Sequence, residues 1–292
     1  GTSADVTSRT VTATSLVDDQ TLTLTGDKAA TVNTIDADVE ASTYTGGMTA
    51  NVTNANAATF NLGTGTSTVS ALGAGALTID GTDSTTNALT IAGTTAADGN
   101  VTVSAYTSTG TLTLNNDLDI GAFAVTTAGN NSRTIALGTS TEVASRTVTA
   151  TSLVDDQTLT LTGDKAATVN TIDADVEAST YTGGMTANVT NANAATFNLG
   201  TGTSTVSALG AGALTIDGTD STTNALTIAG TTAADGNVTV SAYTSTGTLT
   251  LNNNLDIGAF AVTTARIFDR TIALGTSADV TSRTVTATSL VD

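Results

Sequence analysis

Residues 1–137 align with residues 138–274 without a gap, and residues 275–292 repeat residues 1–18 letter for letter. Only eight positions of the 137 differ: Ala4/Thr141, Asp5/Glu142, Thr7/Ala144, Asp117/Asn254, and the run Gly129, Asn130, Asn131, Ser132 against Arg266, Ile267, Phe268, Asp269. A tandem repeat this close restricts the fold to units that either stack on one another or follow one another as beads. The chain is read as repeat unit one (1–137), repeat unit two (138–274) and the start of a third (275–292), a window on a longer array.

Composition separates the two architectures. The chain has no Pro, Cys, Trp or His, its aromatics are 3%, and about a quarter of its residues are Thr. Thr and Val favour strands, and Gly, Asn and Asp favour the turns between them. A β-sandwich of this size packs several large aromatics between its sheets, whereas each repeat offers few, such as Tyr44, Phe60, Tyr106 and Phe123. A β-solenoid fills a narrow interior with ladders of small aliphatics and tolerates that poverty. The expected fold is therefore all-β, an elongated parallel β-helix-like solenoid of tandem repeats. A string of β-sandwich domains is the alternative.

Period-two alternation supports the strands. Thr21-Leu22-Thr23-Leu24-Thr25, Leu77-Thr78-Ile79-Asp80, Val101-Thr102-Val103 and Thr111-Leu112-Thr113-Leu114 each put aliphatics on one face and polar groups on the other. Between such runs stand Gly26-Asp27-Lys28, Gly63-Thr64-Gly65, Gly73-Ala74-Gly75, Asp98-Gly99-Asn100 and Asn115-Asn116-Asp117, which are turn chemistry. Coils of about 20 residues would give about seven per repeat, but the spacing is too irregular to fix their boundaries. The T-x-T pairs do not recur at a constant interval, which speaks against a regular threonine array of the ice-ordering kind.

Charge bounds the partners. The formal net charge is −18, and an acidic, His-free surface repels nucleic acid and anionic membrane while keeping a long polymer soluble. No run approaches the 18 or so consecutive apolar residues a membrane-spanning helix needs, so no membrane insertion is expected in this segment. Such a surface invites divalent cations. Asp36, Asp38 and Glu40, repeated as Asp173, Asp175 and Glu177, alternate along a strand and place successive carboxylates about 7 Å apart on one face. With a turn acid such as Asp18, Asp19 or Asp27 they form a candidate Ca2+ site; a solvated acidic face is the simpler reading. The glycine-rich calcium nonapeptide is missing, since Gly46-Gly47-Met48-Thr49 starts like it and departs, and no EF-hand loop occurs.

Catalysis has little to work with. Without His or Cys the common triads and thiol nucleophiles are impossible in this segment, and Asp117, one member of a possible acid pair with Asp119, is Asn254 in the second copy. The chain is expected not to be an enzyme and no cofactor is expected beyond the candidate Ca2+. The Gly129 to Ser132 run reads as an exposed turn; its counterpart brings in Arg266 and Phe268, a candidate lateral contact for a neighbouring chain.

Gly110-Thr111-Leu112-Thr113-Leu114-Asn115-Asn116, followed by residues 118–127 (LDIGAFAVTT), resembles the strand repeats of filamentous-haemagglutinin-type and autotransporter passengers. Residues 34–37 and 45–49, with residues 71–80 (ALGAGALTID), are similar to threonine-rich strands of giant bacterial adhesins and S-layer proteins. The resemblance implies a secreted, surface-attached protein that serves adhesion, matrix or coat formation and associates with itself into fibres or a lattice. The expected function is thus a structural repeat segment of an extracellular fibre, adhesin stalk or surface layer. The runner-up is a Ca2+-stiffened sandwich stalk presenting a terminal binding domain.

Overall fold

A computed structural model describes residues 5–17, 19–71, 73–82, 86–93, 99–208, 210–218, 223–230, 236–265 and 269–288. The described residues hold 27 strands and no helix, and they divide into two compact units, Gly1–Val148 and Thr149–Asp292.

In the first unit every strand pairs in parallel with the next strand but one, so the chain alternates between two sheets and closes one turn every two strands. One sheet runs through Ser8–Thr12, Ala29–Ile35, Met48–Val52, Ser67–Ala71, Leu89–Ala92, Leu112–Leu114 and Arg133–Ala136. The other runs through Thr21–Thr23, Asp38–Glu40, Ala58–Asn61, Leu77–Asp80, Val101–Tyr106 and Ile120–Thr127. The second unit repeats this arrangement with the equivalent residues. The fold is a parallel β-solenoid. The sandwich alternative is set aside by the pairing, because sandwich sheets are antiparallel hairpins and Greek keys.

The interior consists of columns, one residue per turn. Leu22, Val39, Phe60, Ile79, Val103 and Val125 are register partners in succession, and Val39 to Val125 are at most 1% exposed. The facing sheet supplies Val32, Ala50, Val69, Ile91 and Leu114 in the same way. Small and large residues complement each other along a strand, Ala58 beside Phe60 and Ala50 beside Met48, so a thin interior still reaches close packing.

Turn length varies where the columns do not. The partners Ala30, Met48, Ser67, Leu89 and Leu112 stand 18, 19, 22 and 23 residues apart by their numbers. The corners absorb the difference. One device is a bulge in which the register shifts by a residue held in the left-handed region, at Thr34 (φ 57°) and Ala105 (φ 49°) and again at Thr171 and Ala242. A non-glycine residue there pays about 1–2 kcal/mol of steric strain, more than glycine's added flexibility costs. The double variant Ala105→Gly with Ala242→Gly is expected to raise stability by about 0.5–1 kcal/mol per site, read as a higher midpoint in thermal unfolding.

Sequence repeat and sheet repeat are out of step. Residues 8–136 hold thirteen strands and residues 143–273 their thirteen equivalents among the described residues, an odd number against two sheets. The strand opening the first copy, Ser8–Thr12, pairs with the third strand of its repeat, Ala29–Ile35. The strand opening the third copy, Val280–Ala287, pairs with Ile257–Thr264, which belongs to the sheet of Asp175–Glu177 and so to the even-numbered strands of its repeat.

Candidate functional site

The residues singled out for calcium lie on one strand and the corner before it. Asp36 sits in the corner after Ala29–Ile35, and Asp38 and Glu40 point outward from Asp38–Glu40, with buried Ala37 and Val39 between them. Each carboxylate is bonded to the turn that follows. Asp36 Oδ1 accepts the Ala55 N–H at 2.9 Å, Asp38 Oδ1 the Thr59 N–H at 2.7 Å, and Glu40 Oε2 the Asn61 amide at 2.7 Å. Asp173, Asp175 and Glu177 do the same with Ala192, Thr196 and Asn198. Of the turn acids, Asp27 is 3.6 Å from the Lys28 ammonium and Asp18 lies outside the described residues. No group of three or more acidic side chains gathers at metal-binding distance among the described residues.

The Ser42 hydroxyl, the Asn61 amide and the Ser42 N–H hold the Glu40 carboxyl below the usual glutamate range. At Glu177 the Asn198 amide comes first, then Ser179. A pKa lowered in the folded state means that the ionised form supports the fold. That support is complete above about pH 4.5, the ordinary glutamate value, and is lost as the pH falls through the lowered value. The Glu40→Gln, Glu177→Gln variant is therefore expected to melt below wild type at neutral pH, and the gap should close on acidification below that window.

Within each repeat the acidic strand residues share one sheet face. In the first unit the face formed by Asp38–Glu40 and its partners carries Asp38, Glu40 and Asp80, with Asn61 in register between the last two. The outward positions of the first unit's strands in the other sheet carry no charge. Along that neutral face Thr10, Thr31, Thr49, Thr68, Thr90 and Thr113 are direct register partners, one per turn. The second unit aligns Thr168, Thr186, Thr205, Thr227 and Thr250. Threonines unevenly spaced in sequence are thus ranked in space, in single file rather than as T-x-T pairs, because the corners take up the irregularity. Beside them Asn51 Nδ2 donates to Asn33 Oδ1 at 2.6 Å, an amide pair repeated at Asn188 and Asn170.

Sequence reasoning missed the arginines. Arg146, 5% exposed, points inward and donates from Nε to the Leu137 carbonyl at 2.9 Å, from Nη1 to Val143 at 3.3 Å and from Nη2 to Ser140 at 2.6 Å. It closes the loop across the repeat boundary, and Arg283 does so with Leu274, Val280 and Ser277. Arg133, 1% exposed, is wrapped by the carbonyls of Tyr106, Ala128, Asn131 and Ser132, and its burial lowers its pKa. The signal was present: of six arginines, only Arg266 has no arginine in the equivalent position of the other copy. Arg146→Lys is expected to cost about 2–3 kcal/mol, because one ammonium cannot span three carbonyls. Faster hydrogen exchange confined to residues 137–146 would show it.

The exposed turn expected at Gly129 to Ser132 is observed. The contact residues Arg266 and Phe268 fall outside the described residues. No described helix is long and apolar enough to cross a membrane. Comparison with known family models, curated proteins and solved structures gave no match.

Proposed function

We propose that this chain is a structural repeat segment of a secreted acidic fibre, adhesin stalk or surface layer, a spacer that associates with copies of itself and performs no chemistry. The observation that carries the reading is the unbroken turn-to-turn ladder of parallel pairs in each unit. Every described turn is stabilised by its neighbours, so a repeat can be added without inventing a new interface. The acidic segment fits the same role, since its carboxylates stitch one turn to the next. A Ca2+ ion at Asp38 and Glu40 would compete with those bonds, so calcium is secondary here, a surface ligand rather than a condition of folding. Extracellular placement rests on the resemblance to adhesin and S-layer strands.

Solution scattering from chains of one, two and four repeats tests the reading. Thirteen strands at two to a turn and about 4.8 Å per turn give about 31 Å per added repeat, so a stiff spacer lengthens in proportion to repeat number. Growth with a power near 0.6, as for a flexible chain, would overturn it.

A further inference from the structure

Within each repeat, charge is partitioned between the two sheet faces, and this singles out the uncharged one as an interface. In a chain of net charge −18, the outward strand positions around Thr31, Thr49, Thr68, Thr90 and Thr113 hold only Thr, Ser, Asn and Ala. The face bearing Asp38, Glu40 and Asp80 would set carboxylate against carboxylate if two copies met there. The neutral face has no such penalty. Its hydroxyls and amides both donate and accept, so it is complementary to a second copy of itself.

We propose that the neutral, threonine-ranked face is the contact between copies of this chain. The inference rests on the reading of the chain as a self-associating structural segment and adds which surface does the associating. Five strands about 4.8 Å apart and two ranks about 7 Å apart make a patch of roughly 24 by 14 Å per repeat. That is less than half of the roughly 800 Å² per partner of a standard interface. One repeat therefore binds weakly, and because the neutral strands of consecutive repeats belong to different sheets, each sheet offers this patch only once in two repeats. Long-range repulsion between acidic copies opposes the contact, so salt strengthens it.

Sedimentation of the 292-residue chain over a concentration series, at low and high sodium chloride and with EDTA present, tests the proposal. Wild type is expected to associate reversibly, more tightly at high salt and equally in EDTA. Thr68→Glu with Thr205→Glu, both on the neutral faces, should weaken association about tenfold or more. Thr78→Glu with Thr215→Glu adds the same charge to the acidic faces and should change it by less than about twofold. Should the first pair lose its β circular-dichroism spectrum, Thr113→Glu with Thr250→Glu puts the same charge elsewhere on the ranks. Association that is absent at every concentration, is equal in both pairs or weakens with salt overturns the proposal. So does association lost in EDTA, which would assign the contact to cations bridging carboxylates. None of these results bears on stiffness. A flexible array with an intact neutral-face contact would instead overturn the proposed function and leave this inference standing.

Discussion

Phe60→Ala is expected to destabilise the first unit locally by about 3–5 kcal/mol while leaving the second unit as it was. Phe60 is 0% exposed and stands between Val39 and Ile79 in its column, so truncating it leaves a cavity in the interior. In a solenoid the loss is felt by neighbouring turns more than by distant ones. Hydrogen exchange should accelerate in Asp38–Glu40, Ala58–Asn61 and Leu77–Asp80. The equivalent residues around Phe197, also 0% exposed, serve as an internal control in the same molecule. Equal acceleration around Phe197 would mean that the chain unfolds as one cooperative block.

Gly65→Ala is the second large effect, with an expected cost on the order of 3 kcal/mol or more. A Cβ at Gly65 would overlap the backbone carbonyl of Gly46 one turn earlier, and Gly202 stands over Gly183 in the same way. Backbone cannot rotate out of the way as a side chain does, so relief requires the two corners to separate. The bond from Thr64 N–H to the Tyr44 carbonyl, 3.1 Å, is the first to go. Exchange of the Thr64 amide should report the change, and Gly47→Ala, whose nearest neighbour is the Thr66 carbonyl at 3.5 Å, should be mild by comparison.

Strands and corners were legible because both are written locally. Leu77-Thr78-Ile79-Asp80 is the strand Leu77–Asp80, the run from Val101 opens Val101–Tyr106, and Gly63-Thr64-Gly65 and Gly73-Ala74-Gly75 are corners. Coil boundaries were not legible. Turns of 18 to 23 residues share one vocabulary of Gly, Asn and Asp, and the bulges at Thr34 and Ala105 use residues that ordinarily avoid a left-handed backbone. The acidic segment was legible as a cluster of carboxylates. Their partners, the backbone and amide groups of the next turn, lie 19 to 21 residues away, beyond any local pattern.

The sequence by itself determined the repeat, the all-β class, the thin aliphatic interior and the acidic balance, since each follows from composition, alternation and self-identity. Tertiary structure decided the register, because register is a relation between residues a full turn apart, set by how much chain each corner consumes. From the register came the threonine ranks, the neutral face opposite an acidic one and the arginine loop closures. It also set the odd count of strands, by which each sequence repeat ends one strand out of step with the sheets.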